Sequence, residues 1–160
     1  MGVHITIEYM IMVPVLIAQI FLFPLTASVI MDNWADSRIT IELQDTAGHL
    51  GSSIQQVYYT MNHDLISNNT MKITLDIPPL IENHAYTATL SHVTQTDSSY
   101  TIMNVTLNLI GAKSTTSTLV ILGENVDWTE NLSFNSTSYD LSLIANKTSN
   151  SIWLSYGGSY

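Results

Sequence analysis

Residues 4–30 read HITIEYMIMVPVLIAQIFLFPLTASVI, and no charged side chain occurs between Glu8 and Asp32. The uncharged run from Tyr9 to Met31 would span roughly 34 Å as an α-helix, which exceeds the ~30 Å hydrocarbon core of a bilayer. A helix that is apolar on every face must be buried in lipid or in other protein. The run therefore predicts such a helix, and the carboxylate at its start needs an explanation.

Two prolines, Pro14 and Pro24, lie inside this run. Proline removes a backbone donor, but helices in apolar surroundings tolerate it where neighbouring groups satisfy the freed carbonyls. We expect one helix with a kink near each proline. A cleavable secretory signal fits poorly, because the first basic residue is Arg38 and the apolar run is long.

Beyond Asp32 the pattern becomes amphipathic. Apolar residues recur at intervals of four and three, which predicts a helix with one buried stripe. The stripe consists of Leu43, Ala47, Leu50, Ile54, Val57 and Met61. We expect one long helix, hydrophobic over residues 4–31 and amphipathic over 32–63, whose stripe packs against the chain's own β portion.

From Thr70 onward, short alternating segments are separated by clusters of Asn, Asp, Gly or Ser, which is typical of strands and turns. The segments are MKITLDI, AYTATLSHV, YTIMNVTLNLI, STLVILG, YDLSLIA and SIWLSY. Six or seven such strands favour an antiparallel sandwich of immunoglobulin-like type. The predicted fold class is α+β, with an N-terminal helix over 1–63 and a β-sandwich domain over 64–160.

Charge and composition exclude several classes of function. The 160-residue chain has 4 basic and 13 acidic residues, a formal charge of −9, so it lacks the basic surface that binds nucleic acid. It contains no cysteine, and its five histidines show no metal-ligand spacing. No nucleophile elbow or phosphate-binding loop occurs. We expect a protein without catalytic activity, metal or cofactor.

Five asparagines stand in the pattern Asn-x-Ser/Thr that accepts N-linked glycans, and all follow the predicted helix. They are Asn68, Asn104, Asn131, Asn135 and Asn146. Their position suits a β domain that is exported and carries glycans.

The opening residues His4-Ile5-Thr6-Ile7-Glu8-Tyr9-Met10-Ile11-Met12 resemble the class III signal motif of archaeal type IV pilin-like proteins. That motif is commonly written Q-x-S-x-E-x-x-x-L and is followed by a long apolar helix. The hydroxyl-rich β portion and the scarcity of basic residues are also similar to this family. The architecture resembles such pilins over the whole chain, although the motif itself covers about nine residues.

This resemblance implies a subunit of an extracellular filament, a helical homo-oligomer with apolar helices at its centre and β domains outside. Before assembly the subunit would sit in the membrane, where a prepilin peptidase would cut between Val3 and His4 and the pilus assembly machinery would extract it. Glu8 would be the glutamate that assists assembly. Archaellum filament subunits have a smoother helix start that is richer in Gly and Ala, so the resemblance favours an adhesive pilus over a rotary archaellum filament.

The sequence allows two interpretations of Glu8 and two of the whole chain. Glu8 could pair with the α-amino group of a neighbouring subunit, since a buried carboxylate without a partner is costly. It could instead mark the border between membrane and water. Likewise, the chain could be a monomeric cell-surface binding protein tethered by a single transmembrane helix, although a tether would not need thirty further helical residues with an apolar stripe.

Overall fold

A computed structural model of the chain describes residues 2–93, 100–128, 132–149 and 151–159, with side chains at 2–8, 128, 132, 139, 158 and 159 left undescribed. Its first element is one α-helix, α1, over Gly2–Met61. Both Pro14 and Pro24 lie inside α1, and helical structure continues past each of them. The prediction of a single helix is therefore confirmed, while the predicted kinks stay predictions.

Eight strands follow the helix. They are β1 (Thr70–Thr74), β2 (Tyr86–Val93), β3 (Tyr100–Leu109), β4 (Thr115–Gly123), β5 (Val126–Trp128), β6 (Leu132–Asn135), β7 (Tyr139–Lys147) and β8 (Ile152–Ser159). They form two sheets of four strands, the first ordered β1-β7-β8-β5 and the second β4-β3-β2-β6. All pairings are antiparallel except β5 with β8, which is parallel.

These elements confirm the predicted fold class, α+β with a long N-terminal helix followed by two sheets. Each of the six predicted segments coincides with a strand, and the short strands β5 and β6 are additions that the pattern did not reveal. Assignment of the sheets to an immunoglobulin-like type stays a prediction.

The chain divides into two compact units, Met1–Arg38 and Ile39–Tyr160. Residues 39–61 of α1, called the packed segment below, therefore belong to the same unit as both sheets. The sequence-based division after residue 63 follows the change from helix to strands and stays a prediction.

The predicted apolar stripe forms the helical side of the core. Leu43, Ala47, Leu50, Ile54, Val57 and Met61 are each at most 1% exposed. They join one cluster with inward side chains from both sheets, such as Val105 of β3 and Leu143 of β7. The spacing of the stripe correctly predicted which face of the helix is buried, because heptad-like intervals place these residues on a single helix face.

Two glycines of the packed segment have opposite surroundings. A Cβ atom added at Gly51 would lie 3.0 Å from Cγ2 of Val120 and 3.5 Å from Cγ2 of Thr118, both on β4. A Cβ atom added at Gly48 would meet nothing within 4 Å. Gly51 therefore permits the close approach of α1 to β4, whereas Gly48 faces open space.

This contrast gives a matched test of the helix–sheet contact. We expect Gly51→Leu to lower the free energy of unfolding by about 1–3 kcal/mol, because an added side chain overpacks the contact with β4. Gly48→Leu should raise it by about 0.5–1 kcal/mol, because leucine favours the helix more than glycine does. Urea unfolding of both variants in detergent measures the difference, and equal shifts would contradict this packing.

Tyr86, the first residue of β2, forms hydrogen bonds with Pro78 and with Ser136. Its ring is fully buried, and its hydroxyl donates a hydrogen bond to the carbonyl oxygen of Pro78 at 2.7 Å. Its backbone N–H donates to Oγ of the buried Ser136 at 3.0 Å, and the N–H of Ser136 donates back to the Tyr86 carbonyl at 2.9 Å. Burial raises the pKa of Tyr86 to about 12.

The raised pKa of Tyr86 predicts a loss of stability at high pH. The phenol of the unfolded chain ionises near pH 10, whereas the folded one stays neutral until about pH 12. Stability should therefore fall between these values, by roughly 2 kcal/mol from this group. Tyr86→Phe should remove that part of the fall, and it should cost about 1 kcal/mol at pH 7 through the lost hydrogen bond. Unfolding free energies measured between pH 7 and pH 12 test both effects.

Tyr59, which is 64% exposed, supplies a control at neutral pH. Tyr59→Phe should leave the unfolding free energy at pH 7 nearly unchanged. A Tyr86→Phe variant with the wild-type alkaline slope would show that burial of this phenol does not cause the loss.

Candidate functional site: an exposed apolar helix surface

The apolar run predicted from the sequence is an exposed surface in the first compact unit. Residues 9–31, called the apolar segment below, carry sixteen large apolar side chains that are each at least 47% exposed. These are Tyr9, Met10, Ile11, Met12, Val13, Val15, Leu16, Ile17, Ile20, Phe21, Leu22, Phe23, Leu25, Val29, Ile30 and Met31. Soluble monomers rarely expose so large a continuous apolar surface, so the apolar segment requires an apolar environment that the single chain does not supply.

Few polar groups interrupt this apolar surface. The hydroxyl of Thr26 lies 3.0 Å from the carbonyl oxygens of both Leu22 and Phe23, so it donates within the helix. Pro14 and Pro24 have no N–H to donate to the carbonyls four residues earlier. Those carbonyls are the polar backbone groups of the segment that a neighbouring helix could satisfy.

By length and composition, α1 is the one helix among the described residues that is apolar enough to cross a membrane. Its most apolar window has a mean hydropathy of 2.2 and is 0% buried within the chain. A core helix of a soluble protein would be mostly buried, and even the packed segment has one buried face, whereas the apolar segment has none. The apolar segment thus provides a surface for lipid or for other protein chains.

Glu8, Val3 and His4 lie in the helical backbone of α1, and their side chains fall outside the described residues. Both the assembly role of Glu8 and the cleavage between Val3 and His4 therefore stay predictions. Pro14 and Pro24 lie within the apolar segment, and both are exposed.

Four of the five predicted glycan acceptors lie in the described part of the sheet unit, and Asn131 lies outside it. Asn68, in the connection after α1, and Asn146, on β7, are exposed. Asn104 on β3 is half-buried, as is Asn135, whose side-chain oxygen accepts hydrogen bonds from the N–H and hydroxyl of Thr137. Asn68 and Asn146 are the more accessible acceptors.

Sequence reasoning missed a second apolar surface, on β4. Leu119 and Ile121 point outward and are 64% and 53% exposed, while Val120 and Leu122 are buried. The available signal was the run Leu119-Val120-Ile121-Leu122, since four consecutive apolar residues in a strand place apolar side chains on both faces.

In the described ranges, no three His, Asp or Glu side chains lie close enough together to hold a metal ion.

Comparisons with protein-family models, with curated proteins and with solved structures each return no match.

The exposure of the apolar segment predicts that its side chains do not support the sheet unit. Phe21→Lys should leave the free energy of unfolding of that unit within about 0.5 kcal/mol of wild type, as is usual for exposed positions. Leu50→Lys, the matched change in the packed segment, should prevent stable folding, because it buries an unpaired charge. Circular dichroism during urea unfolding in detergent distinguishes the two. A large loss of stability in Phe21→Lys would contradict the exposure of this residue.

Proposed function

We propose that this chain is the structural subunit of an extracellular type IV pilus-like filament, similar to those of the archaeal pilins, which polymerises through its apolar segment and serves adhesion. The observation that carries the proposal is the exposed apolar surface of residues 9–31, which lies on the same continuous helix as the sheet-packed segment. Such a helix suits a subunit in which one part builds the polymer and the other anchors a folded domain.

The distribution of the apolar side chains supports polymer formation. Large exposed residues occur throughout the segment, including adjacent ones such as Phe21, Leu22 and Phe23, so apolar surface points in all directions around the helix axis. A dimer would cover one side of such a helix. Head-to-tail contacts that repeat without closing would cover every side, and contacts of this kind build open helical filaments.

Glu8 has a defined role within this proposal. Its carboxylate pairs with the α-amino group of a neighbouring subunit, which is charged near neutral pH. A correct pair offsets part of the cost of removing both charges from water, whereas a subunit shifted along the axis leaves both unpaired. Glu8 would thereby select the axial register of each added subunit.

The remaining partners follow from the same assignment. The apolar segment holds the newly made subunit in the membrane, a prepilin peptidase cuts between Val3 and His4, and assembly machinery moves the subunit into the filament. Transfer from lipid to a helix bundle gains little hydrophobic free energy, so close packing and that machinery must drive it. Glycans on Asn68 and Asn146 would lie on the exterior.

A second candidate function is a monomeric cell-surface binding protein whose apolar segment is a single membrane anchor. The same exposed surface favours it, because lipid would cover every side of the helix equally well. The packed segment argues for the filament, since a tether requires no helix that continues into the core of the folded unit.

The test uses cells that express the full chain together with pilus assembly machinery. We expect sheared surface material to contain long fibres of this chain, with an N-terminal sequence that begins at His4. Glu8→Gln should strongly reduce fibre yield, because the uncharged amide cannot form the ion pair. Electron microscopy and N-terminal sequencing of the same preparation provide the readouts.

Glu42→Gln removes one exposed carboxylate from the same helix and should leave fibre yield unchanged. Normal fibres from Glu8→Gln would exclude the pairing role of Glu8. Recovery of the wild-type chain only as single molecules, and only with detergent, would exclude the filament and support the tether.

A further inference from the structure

Strand β4 forms an edge of the second sheet, and the central part of this edge lacks the usual protection against pairing with another chain. The strand lies at the end of the second sheet and is nine residues long, with no charged residue and no proline. Natural edge strands are usually short, or carry charges, prolines or bulges that prevent further pairing. The other edges in the described part of the chain follow this rule, since β5 and β6 have three and four residues and β1 contains Lys72.

Two hydrogen bonds show which residues of β4 present their backbone groups to this edge. The N–H of Leu109 donates to the carbonyl of Ser114 at 3.0 Å. In an antiparallel pair, Ser114 and every second residue after it therefore direct their backbone N–H and C=O groups toward β3. The residues between them face the free edge. Consistent with this, the carbonyl of Ile121 accepts a long bond of 3.4 Å from Nε2 of Gln55. The backbone of Gly123, the next edge-facing residue, hydrogen-bonds to the hydroxyl of Tyr58 on α1. Among the described residues, the edge-facing backbone groups of Ser117 and Leu119 have no such partner, so the unprotected part of the edge is its centre.

The side chains beside these free groups are apolar. Leu119 and Ile121 project from the outer face, and Ile121 lies directly across from Ile102 of β3. A long neutral edge with exposed leucine and isoleucine matches the requirements for adding a strand, in which backbone hydrogen bonds supply affinity and alternate side chains supply specificity.

Charges stand only at the two ends of this strand. Lys113 precedes β4, Glu124 follows it, and both are exposed. Lys113 is one of only 4 basic residues in a chain of net charge −9. A strand with a cation before its start and an anion after its end is complementary to an antiparallel copy of itself.

We propose that β4 pairs antiparallel with β4 of a second copy of this chain, centred on Leu119, and joins the two second sheets edge to edge. This register places Leu119 opposite Leu119 of the second copy and Ser117 opposite Ile121 of the second copy. It also brings Lys113 within one residue of Glu124 of the second copy, at both ends of the pair. The contact is isologous, with a twofold axis at Leu119. It does not depend on the proposed filament.

The absence of cysteine from the chain allows a direct test of this register. Directly opposed residues in an antiparallel pair have Cβ atoms about 4.5–5.5 Å apart, which permits a disulfide after slight adjustment. Leu119→Cys in the full chain, oxidised in detergent, should give mostly disulfide-linked dimers. Ser117→Cys alone should give almost none, because the two copies of residue 117 would lie about 14 Å apart.

Mixing supplies the control for random collision within micelles. Ser117→Cys mixed with Ile121→Cys should give linked heterodimers at a yield close to that of Leu119→Cys. Leu65→Cys, at an 88% exposed position in the connection after α1, should give almost none. Equal yields from all variants, or no dimer from Leu119→Cys, would overturn the proposal.

The terminal charges give an independent readout. In the Leu119→Cys background, Lys113→Glu should slow dimer formation about threefold to tenfold, and adding Glu124→Lys should restore it. Lys72→Glu makes the same charge change away from β4 and should have no comparable effect. If Lys72→Glu slows dimer formation as much as Lys113→Glu does, the effect comes from net charge. That result would overturn the proposed pairing of Lys113 with Glu124 of the second copy. If no disulfide-linked dimers form, the expected loss of fibres in Glu8→Gln is unchanged, so the two proposals can fail separately.

Discussion

The apolar segment imposes the main constraint on this molecule, because its surface cannot remain in water. Sixteen large apolar side chains are at least 47% exposed over residues 9–31. Covering about half of each would contribute roughly 1 kcal/mol per side chain, or on the order of 15–20 kcal/mol in total. This is comparable with the whole folding stability of a typical domain. The helix must therefore be covered by lipid or by protein, and hydrophobicity alone does not choose between them.

One helix meets two different physical requirements. In the packed segment, apolar residues recur at intervals of three and four and bury one face against both sheets, while the opposite face carries residues such as Asp45 and His49. In the apolar segment, no polar face exists. A uniformly apolar helix that begins with a glutamate suits a bundle of identical helices, in which each glutamate carboxylate must find a cationic partner. The β4 edge adds a separate place where two copies can meet, through backbone hydrogen bonds.

The extent to which the sequence predicts the structure follows from the length of each pattern. The stripe from Leu43 to Met61 extends over several helical turns, so its buried face could be identified residue by residue. The longer strands alternate over enough residues to be recognised. Strands β5 and β6, with three and four residues, are too short for alternation to be distinguished from chance.

Surfaces were harder to predict than elements. Whether β4 stands at the edge or the centre of a sheet depends on strand order, and strand order depends on long-range pairing that local pattern does not encode. The exposure of Leu119 therefore became evident only in the folded chain. The apolar segment was found from sequence because its composition alone requires an apolar environment. Its partner could not be found in the same way, since lipid and protein satisfy an apolar helix equally well.

Oxygen accessibility of a spin label at Leu25→Cys in the mature, surface-exposed form of the protein tests most directly what covers the apolar segment. Molecular oxygen concentrates in the hydrocarbon of a bilayer and is excluded from tightly packed protein. A filament of packed helices predicts low accessibility, together with dipolar broadening from labels on neighbouring copies. High accessibility without broadening would place a single helix in lipid and contradict the filament.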